Sequence, residues 1–201
     1  KECIEFLSEL KHYTNLKIFL NIFNFSNYKK KDLDKIIIMT KKSKVDYLYF
    51  ADTHGGLDFS KLDKSKIIFF DRIKKNKDIG FHFHDNIGTA YNNYKYCHSK
   101  KFTLFDSTLC GIGRGGGNLR TELIYSNNSI YNFISKYNKE LNIPFNMYWL
   151  VTGLANVSNL YANYAINNEL SISKFNDFCL LLNDREKDNF NLDKIKNFFK
   201  L

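Results

Sequence analysis

Asp78-Ile79-Gly80-Phe81-His82-Phe83-His84-Asp85-Asn86-Ile87-Gly88-Thr89 is the stretch on which the fold turns. Side chains alternate along a strand, so His82 and His84 share one face and Phe81 and Phe83 the other. Asp85 to Gly88 reads as a turn, and Thr89 to Ser99 as a helix. The aromatic face therefore packs under helices, and the histidines project from the opposite face near the strand's C-terminal end.

Working outward, the same strand-then-helix unit recurs. Lys17 to Phe23, Val45 to Ala51, Asp78 to His84 and Phe102 to Asp106 read as strands. Helical spacing of Ile4, Leu7 and Leu10 precedes them, and helices over Leu33 to Thr40, Lys61 to Lys75 and Thr89 to Ser99 separate them. Strict alternation favours parallel strands with crossover helices, an α/β fold. After the glycine-rich segment 111–117 the sequence predicts one long helix from Asn118 toward Asn138, with Asn118 as its cap. Pro144 breaks the pattern, and the rest reads as helices without strands. The chain thus divides into an α/β part, 1–143, and a helical C-terminal region, 144–201. Only four strands are present where a (βα)8 barrel needs eight, so two sheet edges call for cover.

Composition narrows the function. The 201 residues are 44% hydrophobic and 25% charged, as in ordinary globular proteins, and no apolar run approaches the ~20 residues of a membrane span. A net charge of +9 raises nucleic-acid binding. The bias toward Lys, Asn, Ile, Phe and Tyr is that of A/T-rich codons, and no nucleic-acid motif occurs, so that reading ranks behind the others but stays open as an alternative. The Lys-rich stretches 29–31 and 41–44 are read as solvated faces and turns. Cys3, Cys97, Cys110 and Cys179 form no CxxC pair and fit reduced thiols in a cytoplasmic protein. Residue 1 is Lys, which suggests a start inside a longer polypeptide.

Neutral imidazole ligates zinc, manganese, cobalt and similar ions, so the HxH pair is a candidate metal site; a pair of hydrogen-bonded interior histidines is the plainer alternative. Gly111, Gly113 and Gly116 satisfy GxGxxG, but no second strand with an acid follows, and the dinucleotide reading fails on context.

His82-Phe83-His84-Asp85-Asn86-Ile87-Gly88, Asp106-Ser107-Thr108-Leu109-Cys110-Gly111-Ile112-Gly113-Arg114-Gly115-Gly116-Gly117-Asn118 and Thr121-Glu122 together resemble the second half of the HMG-CoA-lyase-like family, the pyruvate carboxyltransferase or DRE-TIM metallolyases. The likeness is greatest to its 4-hydroxy-2-oxovalerate aldolase branch. Asp46 to Gly56 is similar to the sixth strand and DTxG turn, and Tyr148-Trp149, Thr152-Gly153 and Tyr161-Ala162 are similar to the helices after the barrel. The resemblance implies strands five to eight of a TIM-type barrel followed by a helical region. It implies a divalent-metal-dependent aldolase or carbon–carbon lyase acting on a 2-oxo acid through pyruvate enolate chemistry.

By the same resemblance His82, His84 and Asn118 are metal ligands and the ion is manganese, with magnesium, cobalt or zinc as alternatives. Asp52 and Thr53 would approach substrate, unless they cap a turn; Arg114 would face an anionic substrate, unless it pairs locally. Cys110 precedes the loop that carries the catalytic cysteine of HMG-CoA lyase, and is read as a buried structural thiol. The family's first-strand Asp and Arg, and the aldolase branch's base histidine, have no counterparts here, so the site needs an N-terminal half. A Claisen-type acyl-CoA condensing enzyme, or a non-catalytic binding module, are the alternatives, and a homo-oligomer stays open.

Overall fold

The computed structural model describes residues 2–141 and 145–201. Four strands, β1 (Phe19–Ile22), β2 (Tyr47–Asp52), β3 (Asp78–Phe83) and β4 (Leu104–Asp106), form one parallel sheet in the order β1-β2-β3-β4. Helices α1 (Glu2–Leu10), α2 (Lys30–Lys41), α3 (Lys64–Ile73) and α4 (Ala90–Ser99) alternate with them. Each element falls within a few residues of its sequence expectation.

The aromatic face of β3 decides which side the helices cover. Phe81 and Phe83 are buried and stack at 5.3 Å. Phe81 also meets Phe59, Phe70 and Phe102 edge-on, while Phe50 of β2 meets Phe69 and Phe70 of α3. Leu33 and Ile37 of α2, Ile73 of α3, and Ala90 and Cys97 of α4 complete this core. Rings of this size dominate burial energy and prefer edge-to-face contacts, the geometry in which Phe59, Phe70 and Phe102 meet Phe81.

The other face is bare by comparison. The register aligns Phe19 with Tyr47, Asn21 with Tyr49, Tyr49 with Gly80, and Ala51 with His82 and then Asp106. Phe19 stacks on Tyr47 at 4.4 Å and still remains 53% exposed. Neither β1 nor β4 has a second strand partner among the described residues.

The long helix expected from Asn118 is not formed. Asn118 makes an antiparallel bridge to His84, and Leu119 N donates to Phe83 O at 3.0 Å. These bonds draw 118–120 alongside β3 and bury Leu119 completely, a tertiary demand that overrides local helix propensity. A single turn, α5 (Thr121–Ile124), follows, and α6 (Asn128–Leu141) starts afresh where Asn127 Oδ1 accepts from Ser129 N at 2.8 Å.

The remaining helices, α7 (Met147–Ala155), α8 (Asn159–Asn167), α9 (Ile172–Leu181), α10 (Asp184–Asp188) and α11 (Leu192–Phe199), have a core of their own around Tyr161, Phe175, Phe178 and Ile195. No strand occurs among them, as the sequence predicts. The expected boundary at 143 and 144, and the break at Pro144, lie outside the described residues. Helix α7 docks on the turn after β2 so closely that a Cβ on Gly56 would lie 2.1 Å from Gly153 O. Glycine is required there by space.

A sheet with two open edges and an uncovered aromatic face is a template for association. Residues 1–201 on their own are expected to self-associate, with light scattering showing a mass that grows with concentration; a concentration-independent monomer with a cooperative melt would contradict this.

Candidate active site

A cavity of about 290 Å³ opens at the C-terminal ends of the strands. Because parallel strands all point the same way, their final residues converge at this end, and ligands of such sheets bind there. Ala51, His82 and His84 line it from the sheet's open face, with Thr53 and His54 from the turn after β2. Arg114 and Gly115 reach it from the glycine-rich loop, and Ser158, Asn159, Asn163 and Asp188 from the helical region.

The two histidines are fixed differently. His82 Nδ1 lies 3.1 Å from Asp106 Oδ2, its neighbour in the same row of the sheet. His84 Nδ1 lies 2.7 Å from the carbonyl oxygen of Asp52, which can only accept, so that ring carries its hydrogen on Nδ1. In both rings Nε2 keeps its lone pair when Nδ1 donates, the arrangement by which outer partners orient ligating imidazoles. The rings lie 4.8 Å apart at 82° to one another. Burial pushes the pKa of His84 down to about 4, with smaller contributions from His82, His54 and Arg114, so it is neutral across the physiological range.

Asn118 lies beside this pair but does not line the cavity. Its Nδ2 donates to Ile112 O at 3.1 Å, while its Oδ1 is buried without a hydrogen-bond partner among the described residues. An orphaned buried acceptor is costly and asks for a reason. Two Nε2 lone pairs and one unsatisfied Oδ1 fit part of a divalent-ion site. No group of three or more His, Cys, Asp or Glu among the described residues could hold an ion by itself.

Asp52 does not approach the cavity. It is the last residue of β2 and falls on the helix-covered face, opposite Phe83, where it is fully buried. Its carboxylate accepts from Leu57 N at 3.2 and 3.3 Å, with Gly55 and Gly56 also contributing backbone donors. It caps the turn 53–57. Thr53 does line the cavity, and its Oγ1 accepts from Asn24 N at 2.7 Å. Arg114 is exposed on the cavity rim and makes no ion pair with a described residue, so local pairing does not account for it. Cys110 is only half buried and holds a left-handed φ of 54°, unlike the buried thiol expected. The HDN turn is structural: Asp85 Oδ1 accepts from Ala90 N at the start of α4, and Asn86 bonds the loops around the cavity together.

Three residues at this site carried no sequence signal of their own. Asp106 pairs with His82, and His54 pairs with Asp188 through Nε2 and Oδ1 at 3.4 Å. The spacing of His82 and Asp106 follows only from the strand register. Asp188 is remote in sequence, on α10.

Residues 1–142 match the model of the HMGL-like family. The chain belongs to the HMGL-like family. A 79-residue stretch is 33% identical to 4-hydroxy-2-oxovalerate aldolase of Pelotomaculum thermopropionicum, covering 39% of this chain and 23% of that protein. Two solved structures share the fold at 18% identity and a TM-score of 0.50: the N-terminal domain of a Bacteroides vulgatus protein described as an aldolase, and Bacillus subtilis HMG-CoA lyase. They match 96% and 100% of this chain, which in turn spans only 61% and 60% of theirs. No helix among the described residues of this HMGL-like chain is long and apolar enough to cross a membrane.

Asp52 also sets a pH dependence of stability. Burial raises its pKa from 3.8 to about 7, against the lowering pull of the backbone donors. A raised folded pKa means that its stabilising contribution is fully present below about pH 4 and is lost as pH rises through about 7. Urea midpoints should therefore fall from pH 4 toward pH 8 more steeply in the wild type than in Asp52→Asn; equal slopes would show that Asp52 does not titrate in this range.

Proposed function

We propose that this chain is strands five to eight and the trailing helices of a divalent-metal-dependent HMGL-like aldolase, which cleaves or forms a carbon–carbon bond next to a 2-oxo acid. The observation that carries the reading is the His82–His84 pair, with each Nδ1 engaged and each Nε2 left over, on the sheet's open face beside an unpaired Arg114. The other strands of the barrel come from further polypeptide, in keeping with the two open sheet edges.

When bound, a divalent ion, with manganese the first choice and magnesium, cobalt or zinc the alternatives, supplies Lewis-acid polarisation of the 2-oxo carbonyl. His82 and His84 would hold it through their Nε2 lone pairs, and Asn118 would offer its unsatisfied Oδ1. These three donors are neutral, so the anionic ligand that a divalent ion calls for comes from outside the described residues. His82 and His84 act as holders, and their protons stay on Nδ1.

In cleavage of a 4-hydroxy-2-oxo acid the 4-hydroxyl loses its proton, the bond between carbons 3 and 4 breaks, and the electron pair passes into pyruvate enolate. The leaving fragment is an aldehyde, and carbon 3 then takes up a proton. Negative charge grows on the oxygen of the 2-oxo group. Arg114, on the cavity rim, would stabilise that charge as it forms. Thr53 accepts from Asn24 N, which leaves its hydroxyl hydrogen for the substrate carboxylate. Reduced Cys97, Cys110 and Cys179 fit a cytoplasmic enzyme.

In the complete manganese-loaded protein, His84→Ala should lower pyruvate release from a 4-hydroxy-2-oxo acid by at least about 100-fold and weaken manganese binding, with the melting temperature little changed, because His84 stands at a strand end and not in the core. A coupled pyruvate assay and calorimetric titration read the two effects. Unchanged activity would remove the ligand assignment.

A further inference from the structure

Under the aldolase reading the strand ends would hold the 2-oxo acid part of the substrate, and the helical region supplies a second wall to the same cavity. We propose that the aldehyde fragment is a short hydroxylated aldehyde, recognised by His54 and Asp188. The inference rests on the aldolase reading above.

The cavity's walls have separate origins. His82, His84, Thr53 and Arg114 belong to the strand ends and their loops, whereas Ser158, Asn163 and Asp188 come from the helical region. His54 stands where the two meet. Its side chain is only 4% exposed, its Nε2 lies 3.4 Å from Asp188 Oδ1, and its Nδ1 is buried with no partner among the described residues. Asp188 is held in place by Asn27 Nδ2, which donates to Oδ1 at 2.7 Å, and Oδ2 has no partner among the described residues. Ser158 accepts only a long bond, 3.4 Å, from Leu160 N, so its hydroxyl hydrogen is available.

The apolar alternative is poorly built. The large apolar side chains of the cavity, Phe23 and Leu160, are 62% and 51% exposed and form no closed apolar pocket for an alkyl chain. An alkanal entering this wall would strip water from the Asp188 carboxylate and leave His54 Nδ1 unpaired, whereas a hydroxyl could pair with either. Sites built to bind a hydroxyl discriminate steeply against analogues that lack it, while apolar pockets reject an added hydroxyl only weakly. The part of the site that this chain forms measures about 290 Å³, a size that suits a short aldehyde.

The test is run in the direction of synthesis. Pyruvate gives up a methyl proton, the resulting carbon attacks the aldehyde carbonyl, and the carbonyl oxygen takes up a proton, with no oxidation or reduction. With the complete manganese-loaded protein, condensation of pyruvate is measured with glycolaldehyde and glyceraldehyde against acetaldehyde and propanal. We expect kcat/KM at least about tenfold higher for the hydroxylated pair. In Asp188→Ala, which alters a carboxylate at the cavity rim and leaves both cores intact, that ratio should collapse to about threefold or less while calorimetric manganese affinity is unchanged. His54→Phe should move the ratio the same way. Equal or faster reaction of the alkanals in the wild type, or an unaltered ratio in Asp188→Ala, overturns the inference and leaves the aldolase reading standing. Failure with all four aldehydes overturns the aldolase reading, and the inference with it.

Discussion

Burial of Phe81 and Phe83 is the constraint from which the rest of the site follows. A strand has a side-chain period of two, and a slip of one residue would move every side chain to the opposite face. Two fully buried rings packed against Phe59, Phe70 and Phe102 make such a slip prohibitively costly. His82 and His84 are thereby held on the open face with no interaction of their own needed to put them there. The parallel register then supplies the neighbours: Ala51 on one side, whose methyl leaves room, and Asp106 on the other, whose carboxylate meets His82 Nδ1. The energy that places the histidines is hydrophobic and lies on the far side of the sheet from the chemistry.

The rim of the site depends on a second element, the side chain of Asn86. Its Nδ2 donates to His54 O at 3.1 Å and to Asn159 Oδ1 at 2.8 Å, and its Oδ1 accepts from Gly116 N at 2.7 Å. One buried amide thus ties the turn after β2, the glycine-rich loop and the start of α8. The glycines around it answer to this closeness: a Cβ on Gly115 would come within 2.6 Å of Asn86 Oδ1, and its φ of 60° already favours glycine. The loop's resemblance to a dinucleotide fingerprint is incidental, since Gly111 and Gly113 serve packing on Asn118, Gly116 serves packing on Asn86, and no long helix opens directly after it.

Alternation of strands and helices, and the sorting of Phe81 and Phe83 from His82 and His84, were legible because period two and period 3.6 are local properties of a sequence. Asn118 was read as a helix cap because Asn before a helix-forming run is the commonest reason for its presence; its pairing to His84, from another part of the chain, is what prevails. Asp52 and Thr53 are adjacent, so both looked alike from sequence, yet alternation sends one to the buried face and the other to the cavity. His54 was inconspicuous among the glycines of its turn. Its partner Asp188 lies 134 residues away on a helix whose docking no local pattern encodes.

The two histidines have unlike partners, and this bears on how the site would answer to pH. A carboxylate stands behind the His82 ring and a backbone carbonyl behind the His84 ring, and each partner fixes the orientation of its imidazole. Ligands must shed their protons before an ion can bind, so a group that titrates near neutrality makes affinity pH-dependent. His84, with its pKa pushed to about 4 by burial, has no proton to shed on Nε2 above mildly acidic pH. Any pH dependence of ion binding near neutrality would then arise elsewhere than at His84, because burial has already left this ring neutral there.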